Sequence, residues 1–310
     1  MYVNDIKSRL IVIVGPTAIG KTELAIRLAR EWDGEIISAD SMQVYRFMDI
    51  GTAKPTVEER SMARHHLIDV VNPDEQFNAA MFIAMAKKTI MELHNRRKPV
   101  LVVGGTGLYV KALLGGLFQG PDANEELRKA YRQGLKQFGK EYLYKKLQEK
   151  DERAALQIGK NDIVRIIRAL EVMELSGESI VEKQKAHGFG DSLYTCTKIG
   201  LTMERSRLYE RIDQRTEKMI KDGFIEEVRS LLSMGYSETL KPMQSLGYKH
   251  IVNYMKGFFK LEDALRVMKR DTRHFAKRQM TWFCRDQEIL WFKPSDVDDI
   301  RDRIDKFMRK

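Results

Sequence analysis

One short segment constrains the fold of this chain more than any other. An apolar run at residues 10–14 leads into a G-x-x-x-x-G-K-T motif, and an amphipathic stretch follows from Glu23. The motif residues are Gly15, Pro16, Thr17, Ala18, Ile19, Gly20, Lys21 and Thr22. A strand, a glycine-rich turn and a helix in this order form a phosphate loop, in which backbone N–H groups and the positive helix end face phosphate oxygens. Lys21 adds charge and Thr22 offers its hydroxyl to Mg²⁺, so the segment predicts binding of a di- or triphosphate, as in ATP-binding proteins.

The composition narrows the class of protein and its partners. The 310 residues carry a formal net charge of +10, and a basic surface favours association with polyanions such as nucleic acid. The two cysteines, Cys196 and Cys284, show no C-x-x-C spacing, so neither a disulfide framework nor a zinc site is indicated. No stretch approaches about 18 consecutive apolar residues, the length that a membrane span requires. We therefore expect a soluble, cytoplasmic protein.

Strand and helix patterns alternate as far as about residue 116, which favours a parallel sheet covered on both faces. The predicted strands lie at 9–14, 35–39, 67–71 and 99–103, and the predicted helices at 21–31 and 78–96. Residues 124–186 are charged and helical, and strand character returns at 195–201 and 289–292. We predict an α/β fold: a phosphate-loop NTPase-like parallel sheet core formed by 1–117 and 196–310, and a helical insertion domain at 118–195.

A second candidate site lies where the second predicted strand ends, at Asp40. In an open parallel sheet, ligands bind outside the carboxyl ends of the strands, so Asp40 should face the phosphate loop across that crevice. A carboxylate there could accept a proton from an attacking nucleophile. An Asp-Ser pair is also a common helix or turn cap, and the residues alone leave both interpretations open.

The end of the fourth predicted strand argues against nucleotide hydrolysis. Enzymes that hydrolyse nucleotides on a phosphate loop usually carry a metal-binding acid near such a strand, whereas this one ends in Gly104-Gly105-Thr106-Gly107. The paired glycines suggest close approach of a ligand to the backbone, although a tight turn from strand to helix would need the same residues. The sequence therefore favours a reaction of a diphosphate compound other than nucleotide hydrolysis.

Specific segments recur in order along nearly the whole chain: residues 15–18, 37–45, 49–55, 104–109, 161–162, 165, 168–172, 211–215, 247–248 and 277–282. Together they resemble the bacterial tRNA dimethylallyltransferase family, also called tRNA isopentenyltransferases. The phosphate loop alone is generic, but the ordered set is specific.

The resemblance implies transfer of a dimethylallyl group from dimethylallyl diphosphate to N6 of the adenosine next to the anticodon, at tRNA position 37, giving N6-isopentenyladenosine. The departing diphosphate gains negative charge, which Lys21, Mg²⁺ on Thr22 and Arg215 would stabilise. Asp40 would take the proton from the amine. The resemblance also implies that Arg215 approaches the diphosphate from the side opposite the phosphate loop. Without the resemblance, the simpler interpretation of Arg215 is an exposed residue of a helix at 204–221.

The acceptor adenosine must leave its stack to reach a buried site. The family implies that Asp40, Ser41, Met42 and Gln43 line the channel for the flipped base, with Thr106 and Arg128 at its mouth. In the insertion, the residues that would contact the anticodon loop are Asn161, Asp162, Arg165 and Arg168. A solvated helical face explains these charges equally well.

A predicted helix near the end of the chain supplies a more pronounced basic face. Its basic residues Arg266, Arg270, Arg273 and Lys277 recur at intervals of four, three and four, which places them on one side. With Arg278 nearby, this face could bind the tRNA backbone, although such faces are often only solvated. We expect the apolar residues of the same helix, among them Phe275, to pack on the core.

Three alternative functions share parts of this pattern. A phosphate-loop small-molecule or nucleotide kinase would also use the loop, Asp40 and a lid arginine, but it would convert ATP to ADP. A nucleotide-gated RNA-binding protein would bind tRNA without turnover, and a related prenyltransferase would modify free adenine nucleotides. The basic surface and the long insertion favour tRNA. We therefore expect a monomer that binds tRNA, dimethylallyl diphosphate and Mg²⁺, and no membrane.

Overall fold

The protein divides into two compact units along the chain. The computed structural model describes residues 8–118, 120–188 and 194–309. One unit comprises Met1–Leu113 and Leu193–Lys310, and the other comprises Leu114–Ser192; the sequence predicted an insertion at 118–195. Within the described ranges, no helix combines the length and apolarity that crossing a membrane requires.

The elements follow one another in an order that alternates before the insertion and is mainly helical after it. The part up to the insertion contains β1 (Arg9–Val14), α1 (Lys21–Glu31), β2 (Glu35–Ser38), α2 (Val57–Met62), β3 (His65–His66), α3 (Ala79–Asn95), β4 (Val100–Gly104) and α4 (Gly107–Gly115). The second unit contains α5 (Glu125–Lys150), α6 (Glu152–Gln157), α7 (Ile163–Ser176) and α8 (Ile180–His187). The chain continues with β5 (Thr195–Leu201), α9 (Arg205–Lys221), α10 (Phe224–Ser233), α11 (Tyr248–Met255), α12 (Leu261–Phe283), β6 (Ile289–Phe292) and α13 (Val297–Arg309).

A parallel sheet forms the centre of the first unit, with the strand order β3-β2-β4-β1-β5-β6. The central strand β1 pairs in parallel with β4 and with β5, so that Val12 lies opposite both Val102 and Lys198. Five of its six residues are buried, as expected for a strand covered on both faces. The predicted α/β fold with a parallel sheet is confirmed.

The third strand lies at a different position from the one predicted from the sequence. We predicted it at 67–71, but it consists of His65 and His66, which pair with β2. Leu67 and Asp69 have left-handed φ values of 59° and 57°, a backbone conformation that cannot continue a strand. Val71 makes only an isolated bridge to Tyr45. The prediction was wrong because an apolar run resembles a strand even where the backbone turns.

The core between the sheet and its covering helices aligns the strand ends. The inward face of α1 contributes Leu24, Ala25, Leu28 and Ala29 to a cluster that includes Ile11 and Ile13 of β1. Because β1, β2 and β4 are parallel, their carboxyl ends meet at one edge of the sheet. The loops that follow these three strands are therefore neighbours, as an open α/β site requires.

Candidate active site

The phosphate loop after β1 folds into a closed turn that precedes α1. Gly15 and Gly20 have φ values of 147° and 105°, conformations that favour glycine. Gly20 caps the helix, whose N-terminal N–H groups begin at Lys21. The ammonium of Lys21 turns back and donates to the carbonyls of Gly15 and Pro16 at 2.9 and 2.8 Å. The loop thus presents backbone N–H groups and one cation to an anion.

A cavity of about 690 Å³ opens on this loop. It is lined by the loop from Thr17 to Thr22, by Asp40 after β2, and by α9. The residues of α9 that face the cavity are Arg211, Gln214, Arg215 and Lys218, and the buried face of the helix is formed by Leu208, Ile212, Thr216 and Met219. We had assigned only Arg215 to the site, although helical spacing places the other three beside it.

Two cations in this cavity lack sufficient counter-charge. Burial is the main cause that lowers the pKa of Lys21 from 10.5 to about 7, partly offset by Asp40, and Arg215 lowers it further. Burial likewise lowers the pKa of Arg215 to about 10, with Asp40 opposing and Arg211 adding to the effect. Arg215 also donates to the hydroxyl of Thr17 at 2.6 Å. A bound polyanion would raise the pKa of both side chains and favour the charged form of Lys21.

A second cavity, of about 520 Å³, meets the first. The residues that line both are Thr17, Asp40, Thr52 and Arg215. Asp40 therefore lies at the junction, where it makes the contacts of a turn cap, and its role as a proton acceptor stays a prediction. Its Oδ1 accepts from the backbone N–H groups of Met42 and Gln43 at 2.8 and 3.3 Å, which is a turn cap. Within the described ranges no hydrogen bond is assigned to Oδ2, which remains an acceptor for a ligand.

The glycines after β4 make room for protein atoms. A Cβ on Gly104 would lie 2.1 Å from the carbonyl oxygen of Ala39, and one on Gly105 would lie 2.2 Å from the amide nitrogen of Gln279. The side chain of Gln279, on α12, accepts from the N–H of Thr17 at 2.8 Å and donates to the Gly105 carbonyl at 3.0 Å. Close contacts with Ala39 and Gln279 therefore exclude a side chain at these two positions, and neither glycine has a positive φ value. Gln279 was missed as a support of the phosphate loop.

The predicted tRNA-contact residues of the first unit fall into three groups. The second cavity is lined by Asp40, Ser41, Met42, Thr106 and Arg278, and the first by Gln43. Thr106 also accepts from the N–H of Ser41 at 3.0 Å. Arg273 lines neither cavity and binds Asp213 of α9 at 3.1 Å, whereas Lys277 is exposed. The structure thus brings together the residues after β2 with Thr106 and Arg278.

The basic face of α12 is less uniform than the sequence indicated. Arg266 and Arg270 pair with acidic residues of the same helix at 2.8 and 2.9 Å. Phe275, which we expected in the core, is 37% exposed, lines the second cavity and lies 5.9 Å from the guanidinium of Arg278. That expectation was wrong because Ala276 and Gln279 occupy the buried face of the helix in its place.

The predicted contact residues of the insertion have partners within their own unit. Arg128 and Arg168 bind the fully buried carboxylate of Glu171 at 2.8 and 2.5 Å. Burial would raise the pKa of Glu171, but these hydrogen bonds lower it below its usual value. Asp162 caps α7 by accepting from the N–H of Arg165 at 3.3 Å, and Asn161 accepts from Lys140 at 2.8 Å. Their contact with tRNA stays a prediction.

The parallel sheet, the phosphate loop after its first strand and the cavity that opens on this loop define a phosphate-loop protein of the α/β class. The model of a family described as IPP transferase matches residues 43–287. A tRNA dimethylallyltransferase 2 of Syntrophus aciditrophicus is 56% identical over 98% of this chain and 97% of its own. The chain belongs to this family of prenyltransferase enzymes, and the resemblance drawn from the sequence is confirmed.

Solved structures agree with this assignment. The full-length tRNA isopentenylpyrophosphate transferase of Bacillus halodurans is 40% identical, with a TM-score of 0.72 over 97% of this chain and 96% of its own. A eukaryotic dimethylallyltransferase acting on tRNA is 25% identical, with a TM-score of 0.77 over 94% of this chain and 75% of its own.

Proposed function

We propose that this protein transfers a dimethylallyl group from dimethylallyl diphosphate to N6 of the adenosine at tRNA position 37 and releases diphosphate. The observation that carries the proposal is the junction of the two cavities, where both are lined by Thr17, Asp40, Thr52 and Arg215. A donor in the first cavity and a flipped base in the second would meet at this junction. The family relationship supports the same pair of substrates.

The first cavity suits an allylic diphosphate. The phosphate-loop N–H groups would bind the diphosphate oxygens, and Lys21 and Arg215 would approach it as cations. When the bond between C1 and the bridging oxygen breaks, negative charge develops on the diphosphate. Cations fixed beforehand in a cavity stabilise such charge more than mobile solvent does. Such a role fits two partly buried cations whose pKa values are lowered by their surroundings.

The donor set of this cavity fits a Mg²⁺ ion that arrives with the diphosphate. Among the described residues, no group of three His, Cys, Asp or Glu side chains is placed to hold a metal, so a closed protein cage is not offered. Thr22 lines the cavity, and Mg²⁺ commonly binds one or two protein oxygens together with phosphate oxygens and water. Bound there, Mg²⁺ would neutralise charge on the diphosphate.

The second cavity suits the acceptor base. N6 of adenosine attacks C1, the new N6–C1 bond forms as the C1–oxygen bond breaks, and the amine must lose one proton. We assign that proton to the free oxygen of Asp40, whose other oxygen is held by backbone N–H groups. Phe275 and Arg278 line the same cavity and provide planar surfaces on which a single-stranded base could stack.

The remaining tRNA contacts are proposed from charge. Lys277 and Arg278 are exposed on α12, and phosphate contacts there would make binding weaken as salt rises. In the insertion, Arg165 is exposed, and we propose that it contacts the anticodon loop together with Asn161, Asp162, Arg128 and Arg168. Arg128 and Arg168 also bind Glu171. We propose that the protein acts as a monomer, and in the cytoplasm because tRNA is its acceptor.

The proposed reaction is tested by locating the transferred label. The protein is incubated with unmodified bulk tRNA, Mg²⁺ and radiolabelled dimethylallyl diphosphate, and the tRNA is digested. We expect label on N6 of the adenosine next to the anticodon and one diphosphate released per transfer. Label on free AMP alone would reassign the acceptor to nucleotides. Loss of the γ-phosphate of ATP without any prenyl transfer would replace this proposal with a kinase.

A further inference from the structure

A carboxylate outside both cavities binds the loop that borders them. Glu227 on α10 accepts three backbone hydrogen bonds from the turn after Met48. Its Oε2 accepts from the N–H groups of Asp49 and Ile50 at 2.9 and 2.7 Å, and its Oε1 accepts from that of Gly51 at 3.1 Å. Oε1 also accepts from the hydroxyl of Tyr248 at 2.6 Å. Both carboxylate oxygens of Glu227 therefore accept hydrogen bonds from this loop, and Oε1 also accepts from Tyr248.

The loop also packs closely against two aromatic rings. A Cβ on Gly51 would lie 2.2 Å from the ring of Phe224 and 2.6 Å from that of Tyr248. These rings are completely buried and pack edge to face with centroids 5.0 Å apart. The glycine thus lies directly on a rigid aromatic surface, while Glu227 fixes the orientation of the peptide groups around it.

The loop is connected to Asp40 through Gln43. The side-chain amide of Gln43 donates to the carbonyl of Ala53 at 3.1 Å, and its oxygen accepts from Ser38 at 2.9 Å. The backbone N–H of Gln43 donates to Oδ1 of Asp40 at 3.3 Å. In addition, Thr52 follows directly after the clamped peptides and lines both cavities. A displacement of the loop would therefore move one wall of the junction and loosen the support of Asp40.

We infer that Glu227 is a positioning residue for prenyl transfer, which acts by holding loop 49–53 so that Thr52 and Asp40 align donor and acceptor. This inference rests on the proposed function. Small displacements of reacting groups lower the rate of the chemical step more than they weaken binding. Glu227 lines neither cavity, and among the described residues its assigned hydrogen bonds go to Asp49, Ile50, Gly51 and Tyr248. Its loss should therefore affect turnover and spare diphosphate binding.

The test compares Glu227→Gln with Glu226→Gln, a neighbouring exposed position on the same helix. An amide nitrogen in place of Oε1 would face the N–H of Gly51 in a donor–donor contact, whereas the hydroxyl of Tyr248 can turn to accept from it. We expect kcat for tRNA prenylation to fall about tenfold, with KM for dimethylallyl diphosphate and the Kd of inorganic diphosphate within about twofold of the wild type. Tyr248→Phe removes one donor and should lower kcat less. Glu226→Gln should leave all of these quantities unchanged.

Each result bears on a different claim. A kcat of Glu227→Gln equal to that of the wild type overturns the inference. A fall in kcat matched by an equal fall in the fraction of protein that binds diphosphate also overturns it, since the role would then be in folding alone. A wild-type protein that transfers no prenyl group refutes the proposed function and the inference with it.

Discussion

The lowered pKa of Lys21 predicts that diphosphate binding takes up a proton. In the ligand-free protein this pKa is about 7, so about nine-tenths of the Lys21 side chains are neutral at pH 8. A diphosphate beside the ammonium favours the charged form and raises the pKa toward its usual value. Binding at pH 8 therefore takes up about 0.9 proton per site, and the Kd rises about tenfold from pH 8 to pH 9 because the protonated form becomes scarcer.

The assay is calorimetry with a donor analogue that carries sulfur in place of the bridging oxygen and is not turned over. Its terminal phosphate is fully ionised above about pH 7, so the pH dependence between 8 and 9 belongs to the protein. Measurements in two buffers of different ionisation enthalpy give the number of protons taken up. Lys21→Arg supplies the control, because a guanidinium stays charged at every pH used.

We expect the Lys21→Arg protein to take up almost no proton and to show a flat Kd between pH 8 and pH 9. Equal proton uptake by the wild type and this variant would refute the assignment of the shift to Lys21. A wild-type Kd that does not change over the same interval would refute the claim that the pKa of Lys21 is lowered before the diphosphate binds.

Three further substitutions test the support of the site and of the insertion. Gly51→Ala places a Cβ 2.2 Å from a buried ring and should lower the free energy of unfolding, measured by urea titration, by about 1–3 kcal/mol. An unchanged urea midpoint would contradict this expectation. Gln279→Ala removes the acceptor of a phosphate-loop N–H, so the Kd of the donor analogue should rise about tenfold; an unchanged Kd would count against that support. Glu171→Gln leaves two arginines without their carboxylate and should cost about 3 kcal/mol at pH 7. Because the folded-state pKa of Glu171 is lowered, its contribution is complete above the unfolded pKa of about 4.3 and disappears as pH falls through the folded value. A difference between the two proteins that stays constant as the pH is lowered through this range would contradict it.

The phosphate loop and Asp40 could be predicted because their geometry is local or follows from topology. A strand, a glycine turn and a helix within residues 9–31 fix the loop by backbone conformation alone. Asp40 follows from the rule that parallel strands bring their carboxyl ends together. Helical spacing also predicts that Arg211 and Lys218 lie beside Arg215 on one face of α9.

The supports of the site could not be predicted because their partners are distant in sequence. Gln279 contacts Thr17 across 262 positions, and Glu227 contacts Ile50 across 177. In the sequence, Glu227 is indistinguishable from Glu226, since both belong to the first turn of an amphipathic helix. Only the fold determines that Glu227, and not Glu226, points toward the N–H groups of Asp49, Ile50 and Gly51.

The central claim, that Asp40 removes the N6 proton during prenyl transfer to tRNA, is tested most directly by one measurement. Single-turnover transfer from radiolabelled donor to an anticodon stem-loop is followed with the wild type and with Asp40→Asn, after the donor Kd of each protein has been measured. The account predicts a rate reduced by a factor of about 10² to 10⁴, the usual contribution of a general base, with the donor Kd changed by no more than a few-fold. Transfer by Asp40→Asn at the wild-type rate would contradict it.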